Sequence, residues 1–183
     1  MEKNYTLMTL PFILFLVLSC SIESVRENLL IEGEHGFNFR ESKSQWDELK
    51  KRNGNSYNYT MVEQSWTGVG SETTIHVEKG KVVARYFISF IISEEDGTKE
   101  ITDTYSEESK KDLGKHSLGA PPYSIDDLYK TCVSKFLIAD PDYNTVYFDT
   151  NEEGVIALCG YVPVGCGDDC FKGLVISHFA WKN

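Results

Sequence analysis

Basic residues are scarce in this sequence. The 183 residues include 18 Lys and Arg against 28 Asp and Glu, which gives a formal net charge of -10. A chain of this charge repels a phosphate backbone, so we expect no nucleic-acid partner. Cations and basic surfaces are the complementary ligands. From this charge we expect at most a weak, diffuse association with calcium. We also expect no dedicated cofactor.

A long hydrophobic run is also missing. The longest apolar stretch covers residues 7–18 and is interrupted at Thr9 and Pro11. A helix that crosses a bilayer needs about 20 apolar residues, so we predict no transmembrane segment. The stretch has the length of the apolar region of a secretory signal peptide, and the small-x-small sequence Ser19-Cys20-Ser21 follows it. We expect residues 1–21 to be a signal peptide and the protein to be secreted.

Two further motifs indicate different destinations. The sequence Val17-Leu18-Ser19-Cys20 resembles a bacterial lipobox, in which the cysteine becomes the lipidated first residue. The sequence Asn58-Tyr59-Thr60 is an acceptor for N-glycosylation and favours eukaryotic secretion. A secreted glycoprotein and a lipoprotein anchored through Cys20 at a bacterial membrane therefore remain alternatives.

Four cysteines follow the predicted cleavage site, at positions 132, 159, 166 and 170. An even number of cysteines in an exported chain is typical of disulfides, and four cysteines allow three pairings. The short turn between Cys166 and Cys170 favours a local bridge, which leaves Cys132 to pair with Cys159. A zinc site with His178 as a further ligand is the alternative, because zinc ligands also occur at such short spacings.

Catalytic motifs are absent from the sequence. There is no Gly-x-Ser-x-Gly motif, and Gly68 and Gly70 precede a predicted strand instead of the helix that a phosphate-binding loop requires. The four histidines occur in unrelated contexts: His35, His76, His116 and His178. We therefore expect a protein that is not an enzyme.

One segment begins like a calcium-binding EF-hand loop. Asp140, Asp142 and Asn144 occupy its first three ligand positions, but Thr145 replaces the required glycine and Asn151 replaces the final glutamate. We interpret this segment as a polar loop between a helix and a strand. We interpret Asp168 and Asp169 as a solvated turn, and predict no metal site.

Hydrophobic periodicity predicts an α+β fold. Residues 22–43 are polar and are expected to be a linker, followed by a single domain over residues 44–183. A helix is predicted to begin at Ser44, and an amphipathic helix is predicted over residues 125–137. Alternating apolar residues and short turns, including Lys79-Gly80 and Asp96-Gly97, predict seven strands. We expect a mainly antiparallel sheet with the two helices packed on one face.

Three motifs occur in a defined order along the chain: SYNYTM at 56–61, TIHVEKGKVV at 74–83, and YSIDDLY at 123–129 followed by VYFD at 146–149. With these motifs, about residues 44–181 resemble a family of small exported domains of unknown function, known mostly from bacterial secreted proteins and lipoproteins. The resemblance implies the fold and export, and it carries over no catalytic residue.

We therefore expect a secreted, acidic, disulfide-bonded extracellular protein that is not catalytic. An extracellular or mineralised matrix is one setting for such a protein, with mineral cations as ligands. The alternatives are a bacterial surface lipoprotein anchored at Cys20 and an extracellular hydrolase.

Overall fold

The computed structural model describes residues 23–182. The predicted signal peptide and Cys20 lie outside the described residues. The elements follow in chain order: helix α1 (residues 23–28), helix α2 (Phe39–Asn53), strands β1 (Tyr57–Gln64), β2 (Val69–Glu78), β3 (Lys81–Ile92) and β4 (Lys99–Glu107), helix α3 (Ile125–Thr131) with a π-helical turn (Cys132–Phe136), and strands β5 (Asn144–Thr150), β6 (Ile156–Pro163) and β7 (Lys172–Trp181).

The seven strands form one antiparallel sheet in the order β4-β3-β2-β1-β7-β6-β5. The predicted α+β class with a mainly antiparallel sheet is confirmed. Strands that are consecutive in the chain are neighbours in the sheet except β4 and β5, which form its two edges, and β7 lies between β1 and β6. Strand β7, the last in the sequence, is therefore an interior strand of the sheet with a neighbour on each side.

The core consists of buried side chains from the sheet, from α2 and from α3 with its π-helical turn. Alternation along β1 buries Tyr57 and Tyr59 completely. The ring of Trp46 in α2 meets the ring of Tyr57 edge to face, with 5.1 Å between their centroids. The hydroxyl of Tyr57 accepts a 2.9 Å hydrogen bond from the backbone N–H of Ile125, at the start of α3. Tyr57 therefore contacts both α2 and α3.

Helix α2 begins five residues before the predicted start at Ser44. The side chain of Asn38 accepts hydrogen bonds from the backbone N–H groups of Arg40 and Glu41, and the Glu41 carboxylate accepts one from the backbone of Asn38. This reciprocal capping box satisfies N–H groups that the first turn would leave unpaired. Ser44 lies one turn inside the helix, so the expected domain boundary at residue 44 falls within α2.

The segment before α2 is packed against the domain instead of forming a loose linker. Asn28 is only 3% exposed, and its amide donates 2.9 Å hydrogen bonds to the carbonyl oxygens of Leu137 and Ala139. Further along, the backbone N–H of Glu34 donates to the Asp149 carboxylate at 3.0 Å. Residues 28–34 are thereby fixed beside β5. The expectation of a linker over residues 22–43 therefore differs from the structure.

The helix predicted over residues 125–137 has two parts. Its α-helical part ends at Thr131, and the chain continues as a π-helical turn in which the N–H of Leu137 donates to the carbonyl of Cys132 at 3.0 Å. Cys132, the first residue of this turn, is buried. No helix among residues 23–182 combines the length and the apolar composition needed to cross a bilayer.

Strand β7 changes partner along its length. Residues 172–175 pair with β6, whereas residues 176–181 pair with β1. The pairing of β1 with β7 shifts register between Thr60 and Met61 and ends at the pair Met61–Ile176. Beyond this point β1 and β7 are not paired with each other, which leaves a gap within the sheet.

Candidate binding site

The gap between β1 and β7 is a cavity of about 370 Å³, which we call the β1–β7 cleft. Residues 61–65 form one wall, and residues 173–175 form the other together with Asp169 and Phe171. In an antiparallel pair, alternate residues direct their backbone N–H and C=O groups away from the partner strand. The facing edges of β1 and β7 therefore direct some backbone polar groups into the cleft.

Asp169 closes one end of the cleft. Its carboxylate accepts hydrogen bonds from the Ser65 hydroxyl at 2.7 Å and from the backbone N–H of Trp66 at 3.3 Å. The backbone of Asp169 has a φ of +49°, a left-handed conformation that Asp and Asn adopt more readily than most residues. The disulfide between Cys166 and Cys170 spans this turn. The small disulfide loop therefore positions Asp169 against the turn that follows β1.

An aromatic ring forms part of the second wall. Phe171 packs over Gly160 of β6 and Gly173 of β7, where any side chain would collide with the ring. Glycine at these two paired positions thus allows Phe171 to lie against the sheet. The ring joins Met61, Leu174 and Val175 in giving the cleft apolar walls.

The cleft lies beside an end of the sheet that is acidic. We call this end, formed by loops 65–68, 93–98, 137–143 and 164–171, the acidic end. These loops contain seven acidic residues and no basic residue: Glu94, Glu95, Asp96, Asp140, Asp142, Asp168 and Asp169. The loops at the opposite end, 54–56, 79–80, 108–124 and 151–155, contain four acidic and four basic residues. The loops at the acidic end thus carry a net charge of -7 and are bordered by Lys99 and Lys172, at the starts of β4 and β7.

The acidic end also exposes apolar side chains. Trp66 is 75% exposed, whereas the other two tryptophans, Trp46 and Trp181, stack on each other at 5.4 Å. Seven of the eleven large apolar side chains exposed among residues 23–182 lie within two residues of a strand terminus at this end: Trp66, Val69, Ile91, Ile101, Tyr143, Val164 and Phe171. Clustered exposed apolar groups are typical of interaction sites.

Both expected disulfides are present. Cys132 pairs with Cys159 across 5.9 Å between Cα atoms, and Cys166 pairs with Cys170 across 6.2 Å. The first bond is completely buried and joins the π-helical turn to β6. The second bond lies in the exposed turn before β7. The pairing leaves the zinc alternative without thiolate ligands.

The predicted glycosylation site lies in a central strand. Asn58 belongs to β1, where it pairs with His76 on one side and Ala180 on the other. Thr60 of the same motif shares a 2.9 Å hydrogen bond with the hydroxyl of Thr74. Both side chains are half-buried in the folded protein. Glycosylation of Asn58 stays a prediction.

The remaining sequence candidates do not come together. His76 packs against the ring of Tyr86 at 4.9 Å, and His178 lies exposed on β7. Asp140 accepts hydrogen bonds from the backbone N–H of Asp142 and the side chain of Asn144, which are contacts of a self-contained polar turn. Residues 23–182 contain no group of three His, Cys, Asp or Glu side chains arranged to hold a metal ion.

Sequence reasoning missed a buried ion pair. Arg85 and Glu107 face each other across β3 and β4, inside the protein. Burial alone would raise the pKa of Glu107. Hydrogen bonds from the backbone of His116 and Gly114, the His116 ring and the charge of Arg85 together lower that pKa below its ordinary value. The pair fixes loop 108–123 against the sheet.

Sequence reasoning also missed the residues of the cleft. Glu63 looks like an ordinary solvent-facing residue of β1, and only the register shift after Thr60 places it beside the gap. Among the described residues, neither Glu63 nor Asp169 forms an ion pair with a basic side chain.

The chain matches no family model, no curated protein and no solved structure.

Proposed function

We propose that the protein is an exported, disulfide-bonded extracellular domain that acts by binding and not by catalysis. The observation that carries this proposal is the buried bond between Cys132 and Cys159, which joins a helical segment to the sheet inside the core. Disulfides of this structural kind persist in oxidising compartments and are rare in reducing ones. The apolar stretch of residues 7–18 supplies a route to such a compartment.

The acidic end supports a binding role. Its exposed apolar side chains and uncompensated carboxylates have no function in packing the core. A surface of this composition suits a cationic partner, through electrostatic steering and burial of apolar area. An extracellular or mineralised matrix is one setting in which such an exported acidic protein meets cations.

Expression of the full-length chain with a C-terminal tag tests this proposal. We expect the tagged protein outside the cytoplasm, with an N-terminus that follows Ser21 and with both disulfides in non-reducing peptide mapping. A cytosolic protein with an intact N-terminus and four free thiols would contradict the proposal.

A second candidate is a lipoprotein anchored at Cys20. The Val17-Leu18-Ser19-Cys20 motif favours it, and Asn28, only eight residues later, already belongs to the packed domain. Metabolic labelling with a fatty acid distinguishes the two candidates. A lipoprotein would incorporate the label at Cys20 and lose it in Cys20→Ala, whereas a secreted protein would remain unlabelled in both forms.

A further inference from the structure

We propose that the β1–β7 cleft receives a lysine or arginine side chain of a cationic polypeptide that docks on the acidic end. The inference deepens the proposed binding function and rests on it. It commits to a site, defined by Glu63, Asp169 and the apolar walls between β1 and β7. It also commits to an occupant, a basic segment in extended conformation.

The composition of the cleft fits a long cationic side chain. Lysine and arginine carry an aliphatic stem that packs on apolar surface while the charged head reaches polar groups. Met61, Leu174 and Phe171 provide the apolar surface. The volume of about 370 Å³ accommodates one such side chain together with ordered water.

The charges of the cleft fit the same occupant. Glu63 and Asp169 are the two ionisable residues of its lining, and both are acidic. The carboxylate of Asp169 already accepts two hydrogen bonds, but an ionised carboxylate offers about four acceptor positions. A guanidinium or ammonium group in the cleft would therefore form charge-assisted hydrogen bonds, which are stronger than neutral ones.

The backbone of the cleft indicates a polypeptide instead of a free cation. Past the pair Met61–Ile176, the facing edges of β1 and β7 are not paired with each other. Carbonyl oxygens on these edges accept hydrogen bonds from the head of a cationic side chain in the cleft, and a pocket for one side chain gives specificity when an extended peptide docks over it. Trp66 and Phe171 beside the cleft offer apolar contacts for the neighbouring side chains of the peptide.

The charge of the acidic end disfavours other macromolecules. Seven carboxylates without a basic residue repel anionic lipid surfaces and nucleic acids alike. A basic polypeptide is attracted by the same charges, and the attraction weakens as salt screens exposed charges.

Titration calorimetry with the mature, oxidised chain tests the inference. The probe is the capped pentapeptide Val-Thr-Arg-Thr-Val, whose residues favour an extended conformation. The comparison peptide carries norleucine in place of arginine. We expect the arginine peptide to bind at least tenfold more tightly, and we expect its binding to weaken with added salt.

Two variants locate the binding to the cleft. Glu63→Gln and Asp169→Asn each remove one negative charge, and each should weaken binding of the arginine peptide at least fivefold. Asn is compatible with the left-handed backbone of residue 169 and keeps one acceptor for the turn of Trp66. The matched control is Glu152→Gln, which removes the same charge from an exposed position in loop 151–155 at the opposite end of the sheet and should change affinity less than twofold.

Three results would each overturn the inference. They are absence of binding at millimolar peptide, equal affinity for the norleucine peptide, and equal weakening by Glu152→Gln. If the chain floated with phosphatidylcholine vesicles and did not bind the peptide, the partner of the cleft would be a lipid surface and not a polypeptide. Export and disulfide formation are measured separately, so failure of this inference would leave the proposed function standing.

Discussion

Arg85 and Glu107 form an ion pair that is closed off from solvent, with 3.4 Å between Nη1 and Oε2. Both groups also hold the backbone of loop 108–123. Glu107 accepts from the N–H groups of Gly114 and His116, and Arg85 donates to the carbonyl of His116. Loop and sheet are therefore coupled through two opposite charges.

Removing one charge of this pair should be strongly destabilising. In Glu107→Gln the guanidinium of Arg85 stays buried without a counter-charge, and we expect the free energy of unfolding to fall by about 3–5 kcal/mol. Urea denaturation measures the change. The matched control is Asp112→Asn, whose exposed pair with Lys115 is screened by solvent and should contribute far less to stability. An equal loss in both variants would contradict the structural role of the pair.

The same carboxyl group should make stability depend on pH. Its pKa is lowered in the folded state from an ordinary value of 4.5, so the unfolded chain binds the proton more readily. The stabilisation is therefore fully present above about pH 4.5 and is lost as the pH falls through the folded pKa. Urea denaturation between pH 3 and pH 7 should show a steeper acid loss in the native chain than in Glu107→Gln. Parallel curves would rule out this contribution.

The two disulfides should differ in their resistance to reduction. Cys166 is exposed, whereas Cys132 and Cys159 are completely buried. A mild phosphine reductant followed by alkylation and mass spectrometry should label Cys166 and Cys170 first, and the other pair only under denaturing conditions. Simultaneous reduction of both bonds in the native protein would contradict this order of reduction.

The two bonds should also differ in how much they stabilise the fold. In the chain-entropy model, the 27-residue separation of the buried bond corresponds to a stabilisation of roughly 3.5 kcal/mol and the four-residue separation to roughly 2 kcal/mol.

The attachment of residues 28–34 can be tested at Asn28. In Asn28→Asp a carboxylate replaces the amide that donates to the carbonyls of Leu137 and Ala139. The two carbonyl oxygens then lose their donor and face a carboxylate oxygen, which is also an acceptor. We expect a loss of about 1–3 kcal/mol in the free energy of unfolding, measured by thermal and urea denaturation. Glu27→Gln, at an exposed neighbour, is the control and should change stability little. An unaffected Asn28→Asp protein would show that this segment is dispensable.

Local patterns explain which parts of the fold were predictable. Lys79-Gly80 and Asp96-Gly97 mark their hairpins because tight turns need a residue with positive φ, and Gly80 and Gly97 have φ values of +75° and +70°. The start of α2 was misplaced because Ser44-x-x-Asp47 also has a cap-forming residue with an acidic residue three positions later, whereas the box that forms is Asn38-x-x-Glu41.

Long-range pairing explains what the sequence could not predict. Nothing local indicates that β7 lies between β1 and β6, or that the register of β1 shifts after Thr60. The cleft depends on both facts. Likewise, Arg85 lies in an apolar run and Glu107 in a charged one, so their pairing follows only from the register of β3 with β4.

The central position of β7 has a consequence for biosynthesis. Strand β1 ends at Gln64, and its partner β7 begins at Lys172, more than 100 residues later. At about 5–20 residues per second, synthesis of the intervening chain takes roughly 5–20 seconds. Throughout this interval the side of β1 that faces β7 lacks its partner, and β6 cannot join the rest of the sheet. A nascent chain with this topology stays incompletely folded while it emerges, which is the state that threading across a membrane requires.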